Sequence, residues 1–552
     1  MTAELPAPRA SWLPFAVVAA VWMAVATQQI ALPGVYMDAV DPDYLVVRLL
    51  NPDALPITAW LIGGNDLFGR APVLISFYHG SQQVWLGLPG FALFGTTVTG
   101  LRLTHALFAL GLLASLHALL VRGGVAPGLA ALAGIAMAVD PGFSYAFRTQ
   151  SYITLAPTAW LFLALVSLQR AARSRDRKRG WLVGSGICYG LAIVGYFIYA
   201  FFAPAMLLAV ALWRREDSAA FPPQRNAARV RRWLPWWLMG CALGACFYPI
   251  GYGLFVAAAG GVPTAWALFR ETQQALGAFS AQASLPERIA HIRVMADMVF
   301  GNGFHHQLIF GEYAPLPWTA AKMALVLALP IATWLRAEQR GGASVLLRIA
   351  VALPVCYVVV AAFFGTRLQG HHFVLLIPLA YAALAVALGA PRPGAAPPRS
   401  ALAISALAFA VLATLGLWGQ VIEGRRLAET RGVGLYSDAI NRLADDLNAG
   451  DRKPFVVFPD WGLSMPIAFL TRGTVGMDSV IDLPTLRGKL CEGRDVAFAV
   501  VTGDRTARIA GWQADLGWTA PVITRYAQAD GKEVFELATF AGRRDAPACA
   551  QR

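Results

Sequence analysis

Apolar residues in this chain come in long unbroken runs. Segments near 12–32, 100–121, 125–146, 152–169, 181–196, 198–213, 233–256, 318–335, 349–366, 372–390 and 401–420 hold few polar positions. A helix of about twenty residues spans a hydrocarbon core of about 30 Å. The pattern predicts a polytopic α-helical membrane protein with about eleven spans and a membrane domain over 1–420. Beyond 420 the pattern changes. "PFVVFPDWG" and "VAFAVVTGD" read as buried strands, and "GVGLYSDAINRLADDLNAG" as an amphipathic helix closed by Gly450. "YAQADGKEVFEL" reads as a hairpin about Asp530-Gly531. Residues 421–552 are therefore expected to form a small α/β domain. No internal repeat is visible.

The run 181–213 is either one tilted helix or a tight hairpin. Charge decides it. The flanks "QRAARSRDRKRG" (169–180) and "RREDSAAFPPQRNAARVRR" (214–232) are both basic, and basic loops stay in the cytoplasm. Two flanks on one side require a hairpin. Arg122, the segment 336–348 and "PRPGAAPPR" (391–399) then also fall inside. The N-terminus is expected inside. Loops 33–99 and 257–317 and the tail 421–552 are expected outside. The first apolar run is long for a cleaved signal peptide, so it reads as a retained span.

Composition agrees. Hydrophobic residues make up 57% of 552 and charged residues 14%, against about 25% charged in soluble proteins. The net charge of +13 is read as membrane orientation, and no nucleic-acid partner is expected. Ala-, Gly- and Arg-rich usage fits the inner membrane of a bacterium, with the tail in the periplasm. Cys491 and Cys549 are the two cysteines of the tail, and an oxidising compartment would let them pair.

Chemistry concentrates in the outside loops. "GVYMDAVDPDYLVVR" places Asp38, Asp41 and Asp43 directly after the first apolar run. One reading is a capping turn around Asp41-Pro42-Asp43. The other is a general base at the water–lipid boundary, taking a proton from an aqueous hydroxyl while a lipid-linked donor stays in the bilayer. The stretch 74–95 carries Tyr78, His79, Ser81, Gln82 and Gln83, too many polar groups for a lipid-facing span. It reads as an interfacial helix anchored by Trp85 and Phe91. Arg148, Gln150 and Tyr152 share a short outside loop, and Arg367, His371 and His372 share another. Arginine suits a lipid phosphate because its planar fork gives paired charge-assisted bonds. Snorkelling to the interface is the alternative. His305, His306 and Glu312 are a candidate ligand set for a divalent metal ion, with polar packing of a long loop as the alternative.

The layout resembles the GT-C superfamily of integral-membrane glycosyltransferases, in particular the bacterial family 39 type similar to protein mannosyltransferases and aminoarabinose transferases. The residues that carry it are the acidic stretch after the first span, "YHGSQQVWLGLPGFALFG", and Arg102 in "GLRLTHALFALGLLASLHALL". The resemblance covers roughly the first half of the chain. It implies inverting transfer of a sugar from a polyprenyl-phosphate carrier to an extracytoplasmic glycan, lipid or protein. It places the base on Asp38, with Asp41 and Asp43 as ligands or alternates. Residue type and loop position, apart from the resemblance, put the donor phosphate on Arg148, Arg367, His371, His372, His79 and Tyr152. One departure stands out: Ala156 precedes Pro157 where family members often carry a second acid. A transporter or flippase of a lipid-linked substrate, and a non-catalytic envelope assembly protein, are the competing classes.

Overall fold

The computed structural model describes residues 12–55, 66–67, 70–174, 176–217, 226–277, 283–301, 303–339, 344–389, 399–449, 453–501, 505–546 and 549. Gly450, 391–398 and part of the basic stretch 214–232 lie outside the described residues. Among the described residues, six helices are long and apolar enough to cross a membrane: Val98–Arg122, Ser151–Arg173, Thr319–Gln339, Val345–Phe363, Gly370–Gly389 and Arg399–Thr430. Two bent pairs bring the number to as many as eight, Pro127–Ala138 with Pro141–Thr149 at 65° and Trp233–Gly244 with Phe247–Ala258 at 42°. Leu13–Thr27 and Phe197–Trp213 are shorter apolar helices. Helices dominate because the hydrocarbon core offers backbone groups no other partner. The run 181–213 divides at Tyr196, where helix Lys178–Gly195 ends and a 3-10 turn, Phe197–Phe202, begins.

Two features hold the bundle. Gly186 and Gly190 sit directly on the backbone of Gly240 and Gly244, so close that a Cβ at Gly186 would lie 2.1 Å from the carbonyl of Trp237. Small residues four apart permit such an approach between membrane helices. At the 65° bend, Asp140 accepts from the amide of Gly142 at 3.0 Å, from Lys322 Nζ at 2.7 Å and from Tyr381 Oη at 2.9 Å. That buried ion pair lies at helix ends, where freed backbone groups need partners.

The tail is a five-stranded sheet in the order Met477–Asp478, Phe455–Val457, Val496–Val500, Glu533–Phe540, Val522–Ala527. The first three strands run parallel and the last two pair antiparallel as the expected hairpin. Gly531 turns it with φ +86°. Helix Ala439–Asn448 buries Ile440, Leu443 and Leu447. The last apolar helix runs beyond 420, to Thr430. Cys491 and Cys549 are joined by a disulfide with a Cα separation of 5.6 Å. Labelling of unreduced, denatured protein should therefore find only Cys188, Cys241, Cys246 and Cys356 reactive. Removing the bond should cost about 4 kcal/mol by the chain-entropy model. Six reactive thiols would contradict the pairing.

The loop after the first helix packs against the tail. Val35, Val40, Tyr44, Leu45 and Val47 share one hydrophobic core with Ile440, Leu443, Phe469 and Phe535 of the tail. Gly34 lies against the carbonyl of Ser437, where a Cβ would come within 2.1 Å. The expected helix over 74–95 is shorter. Residues Leu74–Ser76 and His79–Gly80 form a small antiparallel hairpin, and the helix spans Gln82–Phe94. Phe91 is no membrane anchor: it is buried, its ring 5.6 Å from that of Phe469. Trp85 is part exposed and donates to the carbonyl of Pro72 at 3.0 Å.

Candidate active site

The three aspartates occupy different environments because the turn that bears them is fixed from both sides. Arg102 donates to the carbonyls of Ile30, Pro33 and Gly34. Arg148 donates to those of Gln28, Gln29 and Leu32. Both guanidiniums are buried and committed to the backbone leaving the first helix. This corrects the expectation for Arg148. It shapes the turn before the aspartates, and its fork is filled by carbonyls rather than open to a phosphate.

Asp43 is fully buried. His105 Nε2 lies 2.6 Å from its Oδ2, and Gln83 Nε2 donates to the same oxygen at 2.7 Å and to Ser151 Oγ at 3.1 Å. Asp41 is also buried, with His79 Nε2 at 3.4 Å from Oδ2. Ser76 Oγ accepts the amide hydrogens of Tyr78 and His79 and lies 2.7 Å from His79 Nδ1. Its own proton therefore goes to Nδ1, which leaves Nε2–H facing Asp41.

Asp38 differs from both. It sits in the first turn of the short helix Met37–Val40 and keeps part of its surface open to solvent. Gln150 Nε2 donates to its Oδ2 at 2.7 Å. Its pKa is raised to about 6, first by loss of water and then by the negative charge of Asp41; the Gln150 bond and His79 offset this in part. Burial, and then the charges of Asp38 and Asp460, push the hydroxyl of Tyr36, two residues earlier, up to about 12.

An aromatic wall closes the inner side. The His79 ring lies 5.3 Å from Tyr152 and stacks on Tyr196 at 5.8 Å. Tyr196 Oη is 3.0 Å from His372 Nε2, and His372 Nδ1 accepts the amide of Gln369. His371 packs against His372 with ring centroids 3.9 Å apart. Tyr196 thus joins the 365–373 turn to the aspartate loop. Arg367 stands exposed on that turn. Among the described residues, several buried polar atoms here have no hydrogen-bond partner: Asp41 Oδ1, Gln82 Oε1 and Nε2, and Gln150 Oε1. Buried polar atoms are rarely left so, and their concentration marks a place for a polar ligand or water.

The metal expectation does not assemble. His305 Nδ1 lies 2.9 Å from Thr149 Oγ1, and burial lowers its pKa to about 3. His306 turns the other way, with Nδ1 donating to Glu423 at 3.1 Å and Nε2 accepting from Arg426, which also holds Glu312. Adjacent helical residues point in different directions, so these side chains serve separate partners. Among the described residues no group of three His, Cys, Asp or Glu is placed to hold a metal ion.

Sequence reasoning missed His105, Gln83, Ser151 and Tyr196. A histidine inside an apolar run was the available signal for His105, since ionisable residues in spans are costly to keep.

No protein-family model matches this sequence, and no curated protein matches it either. Among solved structures the chain is similar to ArnT from Cupriavidus metallidurans in the apo state, with 13% identity, a TM-score of 0.39, and coverage of 97% of this chain and 98% of that one. It is also similar to arabinofuranosyltransferase AftD from Mycobacteria, in two classes of particles. There the identities are 15% and 16%, the TM-scores 0.44 and 0.42, and the coverage 97% of this chain and 42% of that one.

Proposed function

We propose that this chain is an inverting membrane glycosyltransferase that moves a sugar from a polyprenyl-phosphate carrier to an extracytoplasmic acceptor. The observation that carries this reading is Asp38: a partly open carboxylate, raised to about 6, beside buried polar atoms of Asp41 and Gln150 that have no hydrogen-bond partner. A group with that pKa is mostly ionised at neutral pH yet basic enough to take a hydroxyl proton as the bond to the sugar forms. The polyprenyl phosphate leaves as a stable anion, which needs cations more than it needs an acid. Arg367 on the 365–373 turn is assigned to it as the cation and His371, whose pKa burial lowers to about 4, as a neutral hydrogen-bond donor, with His372 and Tyr196 holding that turn against the site. A single base plus this cradle suffices without an acid at position 156. The eleven-segment reading places this site on the outer face. A reporter active only in the periplasm, fused after Thr430, should therefore be active.

The pH dependence tests the role of Asp38. Its carboxyl must be ionised to act, so the transfer rate should rise about tenfold per unit below about pH 6 and level off above. A rate independent of pH between 5 and 7 in folded protein would contradict it. Stability should move the other way. The folded pKa lies above the ordinary aspartate value of 3.8, so the contribution of this group is fully present below about pH 4 and is lost as pH rises through about 6.

A further inference from the structure

The tail's three parallel strands run in the spatial order second, first, third: Met477–Asp478, Phe455–Val457, Val496–Val500. In such a sheet the connections leave the first strand and enter the third in opposite senses, which opens a crevice at their carboxyl ends where ligands bind. Here that crevice begins with Phe458, Pro459, Asp460, Trp461 and Gly462 after the first strand and Val501 after the third. Asp460 ties the two together. Its Oδ2 accepts the amide of Val501 at 2.8 Å, and its Oδ1 accepts from Arg508 at 2.9 Å. Trp461 is 52% exposed, an unusual state for so large an apolar ring.

The crevice opens onto the aspartate loop. Tyr36 Oη donates to the carbonyl of Trp461. Gly462, at φ +84°, rests on the Tyr36 hydroxyl and on Met37, so the strand-end loop is seated one residue from Asp38. We infer that Trp461 is the platform for the acceptor, and that the acceptor is a glycan whose sugar ring stacks on the indole while its hydroxyls meet the Asp460–Arg508 pair. A sugar ring has one face of C–H groups and an edge of hydroxyls, and a flat apolar ring flanked by a carboxylate and a guanidinium matches both. An acceptor held there presents a hydroxyl toward the partly open side of Asp38. That the bound saccharide is the acceptor rests on the proposed function; that a saccharide binds does not.

The test uses the full chain in lipid nanodiscs, with linear tetrasaccharides of mannose, of arabinofuranose and of N-acetylglucosamine as probes, followed by saturation-transfer NMR and calorimetry. Wild type and D38N should bind at least one probe equally. W461F should keep most of the affinity, and W461A should lose about tenfold or more, as expected for a tryptophan at the centre of a binding surface. W461L, which keeps bulk but not the flat ring, should match W461A and serves if W461A does not fold. In turnover, W461A should raise the KM for acceptor and leave that for donor unchanged. Binding that depends on Trp461 in a protein that transfers no sugar would uphold the platform and remove the transferase reading. The inference is overturned if wild type binds no probe, or if folded W461A and W461L bind as wild type does. Loss of transfer to lipid-anchored acceptors alone, with free-saccharide binding unchanged, would assign Trp461 to membrane contact instead and also overturn it.

Discussion

Asp38→Asn should lower sugar transfer by about 10²–10⁴-fold, the usual loss when a general base is removed, while leaving the protein folded. The second half of that expectation comes from the structure. Asp38's side-chain partner among the described residues, Gln150 Nε2, can donate equally to an amide oxygen. The substitution also removes a charge that burial and Asp41 both oppose. Thermal unfolding at pH 7 should therefore show the Asp38→Asn protein at least as stable as wild type, a case of stability traded for activity at a working site. Donor binding should persist, because the cradle proposed for the phosphate is on a different turn. A folded variant retaining more than about a tenth of wild-type rate would remove Asp38 from the role of base.

Asp43→Ala should show the opposite pattern, a collapse of stability with activity lost as a consequence. The carboxylate has no exposed surface and accepts from both His105 and Gln83. Deleting it takes away the acceptor that the buried His105 imidazole N–H and the Gln83 amide share, and leaves both competing for Ser151 Oγ. Removing one partner of a buried pair costs about 3–5 kcal/mol, a large share of a typical folding free energy of about 5–15 kcal/mol. Asp43→Asn should cost less, since its oxygen can still accept one bond. The measurement is the unfolding midpoint in detergent for wild type, Asp43→Ala and the double variant with His105→Leu. Partial recovery in the double variant is expected, because it removes the competing imidazole. An Asp43→Ala protein as stable as wild type would show that this cluster does not hold the loop.

The two outcomes show how far the chain could be read without its structure. The helices of the membrane domain were legible because hydrocarbon imposes length and apolarity on them. The tail's strands, amphipathic helix and hairpin were legible from short-range alternation and turn residues. What was hidden depends on long-range contact. Nothing local shows that Val35–Val47 will share a core with Ile440 and Phe469. Arg148 looked like a phosphate ligand because a carbonyl and a phosphate oxygen accept from the same fork. The stretch 74–95 was read as one helix although Gly80-Ser81 is a turn signal, and the chain does turn there before the helix starts at Gln82. His305 and His306 looked paired only because they are neighbours in sequence.

The proposed reading divides the work among these parts. The membrane bundle holds two buried arginines that fix the exit of the first helix. Asp43 and His105 then lock the loop to the bundle, and the tail's core locks its other face. Asp38 is left as the aspartate with open surface. In this arrangement the base is held on short helices clamped between two domains, rather than on a free loop.

The most direct test of the central claim supplies the purified chain, in sealed vesicles, with a panel of polyprenyl-phosphate sugars labelled in the sugar, and follows the label. Wild type should pass the label from one donor to a water-exposed acceptor with inversion at the anomeric carbon, and Asp38→Asn should not. Label that stays on its lipid carrier with every donor, or that only crosses the bilayer still attached to it, would contradict glycosyl transfer and favour a transporter.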